Sequence, residues 1–283
     1  MKNTINIFGK LLQLEDPLIM GIINVTPDSF YKDSRYNPFQ EDFLEKAGQM
    51  IRNGADILDI GGYSTRPGAK EVNTEEEINR IIPAIVSLRK KFPHITLSID
   101  TFRSEVAREA IKAGANMVND ISGGTLDPQM FDFIISNNLP YILMHTRGTP
   151  QNMSGLAEYT NLHFEVISEL FSKANFLRKS GVKDIIIDPG FGFAKDINQN
   201  YHLFNHAEIF INDHFPMLIG ISRKSMIYKI LEVSPEESLT ASAALNLLAM
   251  IKNAKILRVH DVKATHQIVK IHKTLELNKD KKP

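Results

Sequence analysis

The chain has 283 residues, 43% hydrophobic and 23% charged, enough to bury one large core, and α/β barrels of this length are commonly single domains. Lys plus Arg equals Asp plus Glu at 33 each, so no overall field draws nucleic acid or an anionic membrane, and an anion must be held locally. Having no cysteine excludes disulfides, thiolate metal sites and cysteine nucleophiles, and no run approaches the roughly 20 apolar residues of a membrane span, so the cytoplasm is the default compartment.

Residues 1–16 read as an N-terminal extension without the apolar core of a signal peptide. Leu18 to Asn24 is a buried strand followed by the turn residues Thr26-Pro27-Asp28-Ser29, and Phe43, Leu44, Ala47, Met50 and Ile51 then fall at helical spacing up to Asn53-Gly54. Ile57 to Ile60 is a second strand, running into the loop from Gly61 to Gly68; Thr74 and Glu77 read as a capping box for a helix that Pro83 should kink. Further strands are Ile95–Asp100, Met117–Ile121, Tyr141–His145, Asp184–Asp188 and Met217–Ile221. Asp127-Pro128 reads as a helix cap, and Ser234 to Glu237 as a second capping box. The last strand is Ala254 to Asp261, and residues 277–283 read as a solvated tail.

Eight apolar runs, each with room for a helix before the next, match a single parallel (β/α)8 barrel, whose strands are buried on both faces. An open doubly wound sheet would place a glycine fingerprint after the first strand, and Asn24-Val25-Thr26-Pro27 is not one. In a barrel the C-terminal strand ends share one mouth. Asn24, Thr65, Arg66, Asp100, Asn119, His145, Asp188, Ser222, Lys224, Arg258 and His260 are therefore expected to meet there.

Asp100 and Asp188 suit a ligand edge rich in N–H donors, or else a helix cap or strand-end ion pair. Asn119 offers a donor and an acceptor to such an edge, or serves a turn. Lys224 reads as a Schiff-base nucleophile, a donor to ligand oxygen, or a surface lysine that works against its helix dipole. Arg258 and His260 lie on one side of a strand and read as an anion clamp. The Gly61–Gly68 loop suits anion capture or closure, Phe193 suits packing on an aromatic ligand or in the core, and His145 reads as a satisfied strand-end histidine.

Asn24-Val25-Thr26-Pro27-Asp28-Ser29-Phe30, Ser64-Thr65-Arg66-Pro67-Gly68-Ala69, Ser98-Ile99-Asp100-Thr101, Val118 to Gly124, Asp188-Pro189-Gly190-Phe191-Gly192-Phe193, Ser222-Arg223-Lys224-Ser225 and Arg258-Val259-His260-Asp261 together resemble the dihydropteroate synthase family, in its order and over nearly the whole chain. The resemblance implies transfer of a dihydropterin-methyl group from its pyrophosphate ester to 4-aminobenzoate in folate synthesis, a transferase with small-molecule substrates, and a homodimer. It implies that Asp100, Asn119, Asp188 and Lys224 bind pterin beside Met144, with Arg258 against it, and that Asp100, Lys224 and Arg258 serve catalysis. Arg258 and His260, with Asn24 through Mg²⁺, would hold pyrophosphate; Thr65, Arg66, Pro67, Phe193 and Ser222 would surround aminobenzoate. Sulfonamide binding is a further implication. Tyr63 stands where the family often has Glu, and Ala194 where Gly is usual. The alternatives are an aldolase-type barrel using Lys224, a pterin methyltransferase with a corrinoid partner, and a non-catalytic pterin binder.

Overall fold

The computed structural model describes residues 2–25, 38–63 and 71–278. Its opening element is a hairpin, β1 (Thr4–Ile7) and β2 (Lys10–Gln13), turned through Phe8 and Gly9, both at positive φ as a tight two-residue hairpin turn requires. Residues read as an extension are thus structural: Ile5, Ile7, Leu12 and Leu14 are buried against the floor of the barrel.

The barrel strands are β3 (Leu18–Asn24), β4 (Ile57–Gly61), β5 (Thr96–Asp100), β6 (Met117–Asp120), β7 (Tyr141–Met144), β8 (Ile185–Asp188), β9 (Leu218–Ile219) and β10 (Ile256–Val259). They pair in parallel in the order β8-β7-β6-β5-β4-β3-β10-β9, and a bridge between Ile187 and Met217 closes the ring. The eight expected strands are present, β9 shorter than its apolar run suggests.

Helices return the chain between strands: α1 (Pro38–Arg52), α2 (Thr74–Lys91), α3 (Ser104–Ala113), α4 (Met130–Asn137), α5 (Leu162–Lys179), α6 (Ile197–Asn205), α7 (Ser225–Leu231), α8 (Leu239–Ile251) and α9 (Val262–Asn278). The last helix runs to Asn278, two residues into the segment read as a tail. Two caps differ from expectation. Asn73, not Thr74, caps α2 by accepting from the Glu76 amide at 2.8 Å, which frees Glu77 to turn into the core, and α2 runs unbroken through Pro83. Asp127 accepts from the Gln129 amide at 2.9 Å, but its other oxygen caps the preceding helix α3 at the Ser104 amide, 2.6 Å away. The reciprocal Ser234–Glu237 pair forms as expected, ahead of α8.

Strand alternation sorts the core into two parts. Ile19, Leu58, Ile99, Val118, Leu143, Ile187 and Val259 face outward against the helices. Met20, Ile57, Met117, Ile142, Ile186, Leu218 and Ile256 face inward and form an apolar plug over the hairpin. A strand has a side-chain period of two, so the next inward positions are Asp59, Asn119, Met144, Asp188 and Arg258, with Ser98 and Asp100 on β5. The site is stacked directly on the plug.

Candidate active site

Register sets the level of each group. Asn24 pairs with Gly61, Gly61 with Asp100 and Asp100 with Asn119, so these strand ends form one tier; Asp59 pairs with Ser98 one layer deeper. From β10, Arg258 reaches across both layers. Its Nε donates to Asp59 Oδ2 at 2.7 Å and its Nη2 to Asp100 Oδ2 at 2.5 Å. The same Asp59 oxygen accepts from Asn119 Nδ2 at 2.9 Å. Three strands are thereby joined through one buried carboxylate that sequence reasoning missed, and Arg258 ties in the fourth through Asp100. The available signal was Asp59 at an inward position two residues after Ile57.

The electrostatics follow from burial and pairing. Burial works against the Arg258 charge, but Asp59 and Asp100 more than offset it and hold the guanidinium above its ordinary range. Burial pushes the Asp100 carboxyl up; Arg258 opposes this, while Asp59, Glu77 and Asp120 reinforce it. The last two are committed elsewhere. Glu77 accepts from Thr101 Oγ1 at 2.8 Å and Arg103 Nη1 at 2.6 Å, and Asp120 accepts from the Ser122 and Gly124 amides and from Tyr141 Oη at 2.6 Å. Asp120 therefore shapes the loop after β6.

Across the mouth, Asp188 Oδ1 accepts from the Gly190 amide at 2.8 Å, and burial raises its carboxyl against the pull of Lys224. Lys224 Nζ donates to the Phe191 carbonyl and lies 4.6 Å from the centre of the Phe193 ring. Burial lowers its pKa to about 8, with Asp188 opposing, so it still carries its proton at neutral pH. Phe193 is half-buried beneath this ammonium. Beside it a shallow concavity is lined by Ile121, Ser122, Leu126, Thr146 and Met153.

The loop carrying Phe193 is held from below by Lys195, a second residue that sequence reasoning missed. Its Nζ donates to the Gly190 and Phe193 carbonyls, both at 3.0 Å, and meets His145 Nδ1 at 3.1 Å. Burial lowers Lys195 to about 7; burial and then Lys195 itself lower His145 to about 4, so the imidazole is neutral and accepts. The satisfied strand-end histidine expected is only half realised: Nδ1 is paired, while the buried Nε2 makes no hydrogen bond and lies 3.4 Å from Glu169 Oε2. The turn leaves no room for a side chain at Gly190: φ is +72°, and an added Cβ would lie 1.9 Å from the His145 carbonyl oxygen. Ala194 adopts φ +47°, a left-handed conformation that accounts for the glycine usual at this place.

The two basic motifs are fastened together. Arg223, at φ +56°, grips Asp261 through Nε at 2.9 Å and Nη2 at 2.6 Å, while His260 meets Ser222 Oγ at 3.2 Å through both its amide and Nδ1. This places Ser222, Lys224, Arg258 and His260 on adjoining strand ends. Asn24 is exposed at the end of β3, and its Oδ1 and Asp100 Oδ2 both flank Gly61, each 3.7 Å from where a Cβ would stand. Asp100 Oδ2 is taken by Arg258, so the exposed Asn24 amide oxygen is the donor here that fits a hard cation keeping water and phosphate oxygens as its remaining ligands. Met144 is buried beside Asp188 in register. Thr65, Arg66 and Pro67, like the Thr26–Phe30 turn, lie outside the described residues. Tyr63 stacks edge-on against Phe102 at 5.2 Å, lies 5.3 Å from the Arg103 guanidinium and accepts from Gln151 Nε2 at 2.6 Å.

Residues 20–260 match the family described as pterin binding enzyme. A dihydropteroate synthase of Synechocystis is 44% identical over 256 residues, covering 89% of this chain and 88% of that protein. Among solved structures, a Yersinia pestis dihydropteroate synthase with a sulfonamide drug complex superposes with a TM-score of 0.89 at 36% identity, covering 97% of this chain and 99% of that one. The Xanthomonas albilineans enzyme in complex with 7,8-dihydropteroate superposes with a TM-score of 0.84 at 33% identity, covering 96% and 98%.

Proposed function

The chain belongs to the dihydropteroate synthase family of pterin-binding enzymes, and from that premise we propose how its own residues carry the reaction. The activity is condensation of 6-hydroxymethyl-7,8-dihydropterin pyrophosphate with 4-aminobenzoate to give 7,8-dihydropteroate and pyrophosphate. The observation that carries the residue assignment is the joining of Asp59, Asp100, Asn119 and Arg258 on one side of a mouth whose other side is Asp188 with Lys224.

The pterin is an array of ring N–H and amino donors with a carbonyl acceptor. Asp100, Asn119 and Asp188 offer oxygens to the donors, and protonated Lys224 offers Nζ to the carbonyl, with Met144 walling the pocket. The C–O bond to pyrophosphate breaks with its electron pair leaving on oxygen. The remaining methylene cation is conjugated to the pterin and lies near buried carboxylates. The amine of aminobenzoate then forms the new C–N bond and releases its proton. This dissociative order needs no general base on the protein. Arg258 and His260 neutralise charge growing on the departing oxygens. With Nε and Nη2 of Arg258 facing carboxylates, an anion would meet its remaining edge.

Asn24 would hold Mg²⁺, which supplies further neutralisation of pyrophosphate charge when bound. Phe193 and Ser222, with Thr65, Arg66 and Pro67 from the second loop, would surround aminobenzoate, so a sulfonamide of the same shape should compete there. No helix among the described residues is long and apolar enough to cross a membrane, and the cysteine-free composition suits the reducing cytoplasm, which we propose as the compartment. Leu248 and Ile251 on α8 and Ile271 and Leu275 on α9, which packs on α8, expose apolar surface that a second copy of the chain would cover.

The test is turnover of dihydropterin pyrophosphate with labelled 4-aminobenzoate and Mg²⁺. Labelled dihydropteroate with equimolar pyrophosphate is expected; no labelled product, or product without pyrophosphate release, would overturn the assigned reaction. Sedimentation should give twice the chain mass, and a monomer at micromolar concentration would remove the dimer proposal.

A further inference from the structure

On the outer layer, a second group of donors stands apart from the mouth's chemistry. His202 and His206, one turn apart at the end of α6, face His163 at the start of α5. The ring centres lie 4.5 Å apart for His163–His202, 4.8 Å for His163–His206 and 4.9 Å for His202–His206. One ligand atom from each can be chosen so that all lie within 4.8 Å of one another. Residues four apart share a helix face, so α6 supplies two imidazoles and its neighbour a third.

The surroundings favour a metal over three idle rings. His206 Nδ1 meets the His202 carbonyl oxygen at 2.9 Å, and His163 Nε2 meets the same oxygen at 3.4 Å. A backbone carbonyl of this kind fixes the tautomer of a ligating histidine, here turning His206 Nε2 and His163 Nδ1 into the donors. Glu208, held by Lys252 at 2.9 Å, contributes negative charge to both His163 and His206, and the C-terminal end of α6 favours a cation.

We infer that His163, His202 and His206 form a binding site for a divalent ion of the zinc, nickel and copper class, clamping the start of α5 to the end of α6. Metal–nitrogen bonds of about 2.0 Å place tetrahedral ligand atoms about 3.3 Å apart, so the rings must close by an ångström or more. Side-chain rotation supplies that movement, because His202 and His206 are exposed and His163 is half-exposed. Three imidazole nitrogens leave a fourth position for water, and they select against Mg²⁺, which takes oxygen. The site is thus chemically separate from the oxygens at Asn24.

The full-length protein, stripped with chelator and kept in excess Mg²⁺, is titrated with ZnCl₂ in a calorimeter. One ion per chain is expected, with a thermal midpoint raised by roughly 5 °C at saturation. His202→Ala and His206→Ala should each weaken zinc by at least about tenfold, since loss of even an outer partner of a ligand costs that much. All three positions are on the surface, so the variants fold and should keep wild-type synthase turnover with Mg²⁺. Absence of zinc heat, or zinc binding unchanged in the His202→Ala/His206→Ala double variant, overturns the assignment.

Discussion

Replacing Asp59 by Asn tests whether the deeper layer of the mouth organises the upper one. Asp59 is fully buried, and its Oδ2 takes Arg258 Nε at 2.7 Å and Asn119 Nδ2 at 2.9 Å. Removing one member of a buried ion pair costs about 3–5 kcal/mol when the other charge is left alone. Here Asn keeps one acceptor oxygen for Nε, and Asp100 still faces Nη2 at 2.5 Å. The loss is therefore closer to one charge-assisted hydrogen bond, about 1.5–3 kcal/mol. For a chain of this size that lowers the thermal midpoint by roughly 3–12 °C. If the same energy positions Arg258 and Asn119 for the reaction, kcat/KM for dihydropterin pyrophosphate falls about 10- to 150-fold, with the KM for aminobenzoate unchanged. Differential scanning calorimetry and initial rates on one preparation measure both. Near-normal kinetics with an unshifted midpoint would refute the argument; a shifted midpoint with normal kinetics would confine Asp59 to folding.

Arg258→Ala should lower turnover by about 10²-fold or more because leaving-group charge goes uncompensated, and steady-state rates with saturating substrates decide it. Lys224 is lowered from an ordinary 10.5 to about 8, so kcat/KM for the pterin substrate should fall as pH rises through about 8, and Lys224→Gln should flatten that limb. The sign for stability is opposite: between about 8 and 10.5 the unfolded chain holds a proton the folded chain has lost, so Lys224 makes folding stability rise with pH across that window, a slope absent in Lys224→Gln on denaturant titration. Tyr141→Phe removes the donor 2.6 Å from buried Asp120 and should cost about 1–3 kcal/mol in chemical denaturation while moving kcat less than tenfold.

The barrel was legible because its strands are near-continuous apolar runs, and a sheet buried on both faces allows little else. The strand-end polar residues followed from the fold, since a closed parallel barrel has one mouth. The N-terminal hairpin escaped notice, although Ile5 and Ile7 alternate with polar neighbours, because two four-residue strands carry little periodic signal by themselves. Asp59 and Lys195 were missed for a different reason. Each lies inside a stretch dominated by apolar or turn residues, and its partners, Arg258 and Asn119 for one and His145 for the other, are 50 or more positions away in sequence. The expected cap at Thr74 failed because Asn73 competes for the same amides, and Glu77 gains more by meeting Arg103.

The charges of the mouth form a matched set. Asp59, Asp100 and Asp188 face Arg258, Lys224 and Lys195; the carboxylates more than offset burial for Arg258, while for Asp100, Asp188, Lys224 and Lys195 burial outweighs the opposing partner. A mouth carrying net positive charge would hold a pyrophosphate ester tightly, yet would oppose the cation left when pyrophosphate departs. One carrying net negative charge would do the reverse. Interleaving the two signs would let Arg258 and His260 act on the leaving oxygens, as proposed, while carboxylates act on the pterin side. The strand period makes this possible: the residues directly beneath Asp59, Asn119, Asp188 and Arg258 are Ile57, Met117, Ile186 and Ile256, an apolar plug that seals the charged layer from below. In the proposed reaction Arg258 would serve both halves, since the carboxylates that hold it in place are the ones the cation would meet.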